Sequence, residues 1–386
     1  MPEGVQDMVN FELSAEHKQL IEKTKDFADR CIRPVARQHD ETCEFPWEVV
    51  KKAYDEGVIN GAIPKEYGGA GHSSFEGCLA SEELGAACSG IGICIDANNL
   101  ALTPLLIGAG DSLKKRIFGS LIEARGLAAF CLTEPEAGSD AGAVRTTAVR
   151  KGDKYVINGN KRFITNGKQA MFHTVFCNTD PGRGARGMSA IVVPADTPGV
   201  TIGRELPKMG QRASCQVEIE YKDVEVPAEN VIGKENVGFL IAMKTFNRTR
   251  AGVASAAVGM AREAYETAKQ WALNRKQFGQ PIASFQAIGF MFAEMLTEIT
   301  AARFLVWNAA ILTDQDKEVG TYSAMAKYYA TDVAMKVATD CVQVMGGDGY
   351  SKDYIVEKIM RDAKLSQIYE GTNQVQRLVI AKNTLK

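Results

Sequence analysis

Chemistry-bearing side chains concentrate in a few short stretches of the sequence. The most suggestive is Gln367-Ile368-Tyr369-Glu370-Gly371-Thr372-Asn373-Gln374-Val375-Gln376-Arg377, where a lone carboxylate stands between an aromatic residue and a glycine. Ile368 and Tyr369 offer Glu370 an apolar setting, which lifts a carboxyl pKa toward the range of a general base. Gly371 lets a ligand approach the backbone, and Thr372 is an N-cap type that opens a helix running to the C-terminus. The competing reading is a solvated Glu370 ahead of a helix cap. A second stretch, Ala129-Phe130-Cys131-Leu132-Thr133-Glu134-Pro135-Glu136-Ala137-Gly138-Ser139-Asp140, mixes hydroxyls with turn formers. Its backbone N–H groups, with Thr133 and Ser139, suit a polar ring or a phosphate; a turn at a domain boundary explains it equally. In Phe246-Asn247-Arg248-Thr249-Arg250, two arginines lie beside small residues, placed for an anionic ligand or for salt bridges. Asn274-Arg275-Lys276-Gln277-Phe278-Gly279, with Gln286 beyond it, reads as a helix end or a phosphate contact. The paired glycines of Gln343-Val344-Met345-Gly346-Gly347 permit close backbone approach or form a helix C-cap.

Other chemistries lack their residues. No glycine fingerprint links a strand to a helix as a dinucleotide fold needs, and P-loop, nucleophile-elbow and H-E-x-x-H patterns are missing. The nine cysteines form no C-x-x-C and do not cluster with the four histidines, so free thiols in a reducing compartment are expected. The chain has 386 residues, 45 basic and 47 acidic, for a net charge of −2. That balance argues against nucleic-acid binding, which needs a basic face. Lys114-Lys115-Arg116 reads as a solvated helix face. The start, Met1 to Asp7, has neither a basic nor an apolar leader segment, and the charge-free run Ala251–Ala261 is too short to span a bilayer. A soluble enzyme without membrane insertion is expected, cytoplasmic, or in the mitochondrial matrix if it is a processed eukaryotic protein.

The elements that must position these stretches fall into three zones: 1–125 helical, 126–237 β, and 238–386 helical again. Ser14 is placed to cap a first helix with apolar positions at Leu20, Ile21, Phe27 and Ile32. Pro46 opens a second helix through Trp47, Val50 and Tyr54, closed by Gly57, and more helix follows from Phe75. In the middle zone, Tyr155 to Phe163 reads as a hairpin turning on Asn158-Gly159. Met188 to Val193 reads as a buried strand, and Val217, Ile219 and Tyr221 alternate with Glu218 and Glu220. Helical stretches at about 239–275, 284–313, 320–346 and 372–384 complete the pattern. No strand alternates with these helices, so a doubly wound sheet is excluded.

These stretches, in this order and at these separations, resemble the acyl-CoA dehydrogenase family, nearest its short- and medium-chain branch, over nearly the whole chain. The resemblance implies an α+β fold with an N-terminal helical domain, a middle β-barrel or sandwich domain, and a C-terminal four-helix bundle. It implies FAD as cofactor. Phe130, Leu132, Thr133 and Ser139 match the flavin-binding segment, with Ser139 also meeting the CoA thioester. Phe163, Ile164 and Thr165 match the segment against the isoalloxazine ring, where many relatives have Trp in place of Phe163. Arg275, Phe278, Gln286, Gln343, Gly346 and Gly347 match positions that hold the FAD of a neighbouring subunit, which implies a homotetramer. Thr372, Asn373 and Gln374 match contacts to the FAD pyrophosphate and ribose. Asn247 and Arg250 match the CoA-binding helix, with Asn247 replacing a common Asp, and Tyr369 and Gly371 match substrate-binding positions.

Glu370 matches the catalytic base. The implied reaction removes the thioester α-proton to Glu370 and the β-hydrogen as hydride to the flavin, giving a trans-2-enoyl-CoA, with electrons passing to an electron-transfer flavoprotein. The segment Ile91 to Asp96 aligns with the far end of the acyl pocket. There Gly92 leaves room and Asp96 adds a carboxylate, suiting a branched or cyclic acyl group, a second base, or an ordinary pocket floor. Some relatives carry the base on the arginine-bearing helix, where this chain has Thr249. The alternatives are an oxidase, a non-redox acyl-CoA lyase or desulfinase on the same scaffold, and a non-catalytic acyl-CoA-binding protein.

Overall fold

The computed structural model describes residues 11–385, so the expectation placed on Met1 to Asp7 lies outside the described residues. Helix α1, Ala15–Phe27, begins at a reciprocal cap in which Ser14 Oγ accepts from His17 N–H at 3.2 Å and His17 Nδ1 accepts from Ser14 N–H. A π-helical turn, Ala28–Ile32, leads into α2, Arg33–Thr42, and Pro46 precedes α3, Trp47–Asp55. Helix α4, Ser74–Gly108, is not one rod. Cys88 takes extended angles (φ −168°, ψ 107°), and the chain doubles back there. A Cβ on Gly92 would lie 3.2 Å from Leu84 Cβ, although eight residues of straight helix would separate them by about 12 Å. The room that Gly92 leaves is therefore filled by the helix's own first arm, which corrects the expectation that it enlarges an acyl pocket. Helix α5, Asp111–Glu123, closes this region.

Seven strands follow: β1 Leu127–Cys131, β2 Thr147–Lys151, β3 Lys154–Thr165, β4 Ala170–Asn178, β5 Met188–Pro194, β6 Val200–Glu205 and β7 Gln216–Pro227. They form one curled sheet in the order β1-β4-β2-β3-β7-β6, with β5 paired to β4. The hairpin expected at Asn158-Gly159 is not there. The chain turns at Gly152 (φ 64°), between β2 and β3, and β3 runs straight through both residues. Asn158 is held in the strand by Asp223, which donates its N–H to Asn158 Oδ1 at 2.9 Å and accepts from Nδ2 at 3.1 Å. Gly159 marks a register shift against β7, where a Cβ would come 2.4 Å from Thr146 Oγ1. The run Gly182–Gly187 has the spacing of a dinucleotide fingerprint, yet it is a 3₁₀ turn between two strands and opens no helix.

Helices then return as α6 Gly238–Asn274, α7 Gln286–Asp314, α8 Gly320–Met345, α9 Gly347–Tyr350, α10 Ile355–Ser366 and α11 Asn373–Thr384, with a two-strand ribbon, β8 Lys276–Gln277 and β9 Gln280–Pro281, ahead of α7. Helices α6, α7, α8 and α10 share a core rich in small residues, among them Ala254, Ala261, Ala302, Ala334 and Ala363. Helix α10 went unread in the sequence because its inward face carries charges. Lys358 is 5% and Asp362 1% exposed, and they pair with each other, which masks the apolar stripe of Val356, Ile359 and Ala363. By length and hydropathy α4 and α7 could each cross a membrane. Helix α4 is broken at Cys88 and mostly buried in the protein, whereas α7 leaves Phe290, Leu296 and Phe304 exposed.

Candidate active site

Helix α10 stops at Ser366 and α11 starts at Asn373, and the turn between them carries two consecutive left-handed residues, Glu370 (φ 51°) and Gly371 (φ 88°). A glutamate in that region is strained unless its surroundings hold it there. Three side chains do so. Gln376 Nε2 donates to the carbonyls of Glu370 (3.1 Å) and Gly371 (2.9 Å). Lys327 Nζ, from α8, donates to the Gly371 carbonyl at 2.8 Å and to Asn373 Oδ1 at 2.9 Å. Thr372 Oγ1 accepts from Val375 N–H, the N-cap read from the sequence. Gly371 does not open the backbone to a ligand as expected: a Cβ there would come 2.6 Å from Gln376 Nε2, so the glycine serves the turn.

Glu370 is half-buried, with groups from α4, α6 and α8 acting on its carboxylate. Thr249 Oγ1, from α6, donates to Glu370 Oε2 at 2.8 Å. Burial pushes the Glu370 carboxyl above the usual carboxylate range, opposed by the Thr249 hydrogen bond and by the charges of Arg250 and Lys327. Arg250 is 5% exposed and turned inward, with Nη1 donating to Asn247 Oδ1 at 2.9 Å and its Nε without a partner among the described residues. Burial lowers its pKa and the nearby Glu370 raises it again. The exposed arginine of that stretch is Arg248. From the second arm of α4, half-buried Asp96 is pushed up to about 7 by burial, with Ser81 opposing and the Glu370 charge adding. The bend at Cys88 is what sets Ser81 beside Asp96. Tyr369 OH accepts from Gln211 Nε2 at 3.3 Å.

The sheet supplies a second cluster. Arg162 N–H donates to the Thr133 carbonyl at 2.9 Å, which sets the Thr133 loop beside the end of β3. Phe163 there has φ 59° and is 53% exposed, with the Arg162 guanidinium 5.0 Å from its ring centroid. Thr165 Oγ1 accepts from Gln216 Nε2 at 3.2 Å. Leu132 and Ile164 are 4% and 1% exposed, with the Leu132 carbonyl taken by Lys161 and Ile164 paired with Val217 in the sheet, so both serve the edge from inside. Phe130 packs on Phe176 and on Phe246 of α6, at 4.8 and 5.5 Å between centroids, and Ser139 is exposed. Behind this edge the wholly buried Lys161 donates to the carbonyls of Leu132 (3.0 Å) and Phe176 (2.6 Å) and to Glu134 Oε1 (2.8 Å). An exposed ring on a braced edge suits a planar ring system, and the capped N-terminus of α11, where Gln374 is exposed, suits an anion. An FAD-type group fits these residues.

Other expected contacts lie elsewhere. Asn373 is 3% exposed and its side chain is fully used, accepting from Lys327 and Thr331 and donating to Tyr328, Thr331 and Asp332; it is a structural hub, out of a ligand's reach. Arg275, Phe278 (93% exposed, φ 51°), Gln286, Gln343, Gly346 and Gly347 are exposed, and among the described residues none is hydrogen-bonded to the Glu370 turn. Lys327, Gln376 and Ser81 were not anticipated. Only Lys327 left a signal, a charge in the inward register of α8 with Ser323, Ala330 and Ala334. Among the described residues no group of metal-ligating side chains converges.

Profiles described as acyl-CoA dehydrogenase N-terminal, middle and C-terminal domains match residues 14–125, 129–224 and 236–385. The chain is 44% identical over 376 residues to a cyclohex-1-ene-1-carbonyl-CoA dehydrogenase of Syntrophus aciditrophicus, covering 97% of this chain and 91% of that one. Butyryl-CoA dehydrogenase from Megasphaera elsdenii superimposes with a TM-score of 0.95 at 38% identity, covering 98% and 100%. A chain from structural work on the electron transferring flavoprotein of Acidaminococcus fermentans gives 0.96 at 42% identity, also covering 98% and 100%.

Proposed function

The chain belongs to the acyl-CoA dehydrogenase family of FAD-dependent oxidoreductases, and on that premise we propose that it dehydrogenates an acyl-CoA thioester between Cα and Cβ, with Glu370 as the base. The observation that carries this reading is the Glu370 carboxylate, half-buried, held at 2.8 Å by Thr249 and flanked by Arg250 and Lys327. A thioester α-proton is a weak acid, and an unperturbed glutamate, with pKa about 4.3, is a weak base for it. Burial raises the basicity of Glu370, and an acyl chain excluding water from the turn raises it further. The Arg250 charge beside it favours the ionised form, the one that takes the proton. The turn fixes the side chain's direction, so little reorganisation is needed at the moment of transfer.

Thr133, Phe163 and Thr165 on the sheet edge would hold the FAD ring, with Thr372 and Gln374 at the start of α11 on its anionic part. When bound, FAD supplies the acceptor for the β-hydrogen as hydride. Ser139 and Asn247, with the exposed Arg248 next to Asn247 in sequence, would meet the CoA moiety. Electrons then leave to an electron-transfer flavoprotein, a partner supported by the likeness to the Acidaminococcus chain. A homotetramer is supported by the uncovered apolar face of α7. A cytoplasmic location is proposed with it.

Asp96 favours a second, narrower reading, a branched or cyclic acyl group. Its carboxyl, pushed up to about 7, feels the charge of the base, and the relative of 44% identity is named for a cyclic acyl-CoA. The test is an anaerobic titration of the FAD-loaded protein with linear, branched and cyclic acyl-CoAs, wild type against Glu370→Gln. The flavin absorbance is expected to bleach with one class, and the variant to bleach at least about a thousandfold more slowly with FAD retained. Bleaching by the variant at the wild-type rate removes Glu370 as base. A wild type that none of the classes bleaches overturns the dehydrogenase reading in favour of non-redox acyl-CoA chemistry.

A further inference from the structure

Lys327 touches none of the reacting atoms, yet it is 0% exposed and lies directly behind the base. Its Nζ has two acceptors, the Gly371 carbonyl at 2.8 Å and Asn373 Oδ1 at 2.9 Å, and no carboxylate within ion-pair distance among the described residues. A buried ammonium without a direct counter-ion is costly, so its position asks for a reason. The first acceptor supplies one, because Gly371 follows Glu370 and both are left-handed. Losing that donor leaves Gln376 as the one side chain on the Gly371 carbonyl among the described residues, in a turn that a glutamate does not adopt unaided.

We propose that Lys327 is a positioning residue for the base: from α8 it holds the Glu370–Gly371 turn through the Gly371 carbonyl, and its buried charge favours the ionised form of the Glu370 carboxylate. The proposal rests on the reading of Glu370 as the base. The charged and titratable groups around that carboxylate are Arg250 from α6, Asp96 from α4, Lys327 from α8 and the neighbouring Tyr369, with the Thr249 hydroxyl donating to it. Around Lys327 they are Glu370, Arg250 and Asp332. Burial lowers the Lys327 pKa to about 7, and the Glu370 charge works against that fall. The two groups therefore support one another's ionisation. Removing the positive charge raises the Glu370 pKa, so more of it is protonated at a given pH.

The experiment follows the carboxyl band of Glu370 by infrared difference spectroscopy across pH in the FAD-loaded protein, with Glu370→Gln assigning the band. Lys327→Met is expected to raise the midpoint by about one pH unit, as loss of an adjacent opposite charge does, and FAD content is expected to stay at the wild-type level. The acid limb of the bleaching rate should move by the same amount. An unchanged midpoint in folded, FAD-replete Lys327→Met overturns the proposal and leaves Lys327 a packing residue. If that variant does not fold, Lys327→Gln carries the test, since it keeps an N–H for the turn but no charge, and the same shift is expected. Should Glu370→Gln bleach like the wild type, the base assignment fails, while the infrared midpoint still reports on Lys327.

Discussion

Two lysines are wholly buried among the described residues, one behind the sheet edge and one behind the base, and they are wired differently. Lys161 has three acceptors, the Leu132 and Phe176 carbonyls and Glu134 Oε1, which is the full donor count of an ammonium. Glu134 answers with acceptors of its own for Arg145 N–H, Thr146 N–H and Thr146 Oγ1. Burial would raise the Glu134 carboxyl, but Lys161 and these donors outweigh it and hold it below the usual range. Lys327 has two acceptors, both uncharged, and one N–H without a partner among the described residues. A closed pair makes a rigid brace. An open one leaves its charge to be felt by a neighbour, and here the neighbour is Glu370.

The contrast breaks most visibly if the closed pair is opened. Lys161→Met leaves Glu134 buried and unpaired, and breaking such a pair costs about 3–5 kcal/mol. Urea unfolding followed by circular dichroism should show that loss, together with reduced FAD retention, because the Leu132–Thr133 loop and Phe163 lose their support. Lys327→Met removes an ammonium with no carboxylate to strand and should cost clearly less. If the two variants lose the same stability, the distinction between brace and tuner is wrong.

Stability against pH sharpens it further. An unfolded lysine titrates near about 10.4, whereas Lys327 titrates at about 7. Between those values the unfolded chain holds a proton that the folded one has released. The penalty for Lys327 is therefore complete below about 7 and relieved as pH climbs toward about 10. Wild-type stability relative to Lys327→Met should rise across that window; a flat difference would contradict a depressed Lys327. Glu134 acts in the opposite region. Its lowered pKa adds stability above the unfolded value of about 4.3 that is lost as pH falls through the folded one.

Legibility followed the same division between local and long-range causes. Helix starts at Ser14 and Pro46, the burial alternation of β7 and the cap at Thr372 could be read because each depends on neighbours in sequence. Glu370 could be singled out because a carboxylate between an aromatic residue and a glycine is a local pattern. What could not be read depends on contacts far apart in the chain. The bend at Cys88 is set by packing, and Asn158-Gly159 has the composition of a turn but is overruled by Asp223, 65 residues on. Lys327 lies 44 residues from Gly371, and only its misplaced charge on an inward helix face hinted at it. Phe163, Phe278 and Glu370 all take positive φ, a strain that no residue type announces.

The smallest expected effect is also the most discriminating. Thr249→Val removes the hydroxyl that donates to Glu370 Oε2 at 2.8 Å and keeps the side chain's shape. A hydrogen bond to a charged group contributes about 1.5–3 kcal/mol where it is fully formed. Thr249 shares its hydroxyl with the Thr245 carbonyl at 3.1 Å, so the infrared midpoint of Glu370 should rise by less than about one pH unit. Combined with Lys327→Met, the variant separates the two ways in which a lysine on α8 can act on a carboxylate bonded to α6. If Lys327 acts chiefly through its charge, the carboxylate stays against Thr249 and the two shifts add. If it acts chiefly by holding the turn, Lys327→Met has already drawn the carboxylate away from α6, and Thr249→Val has nothing left to remove.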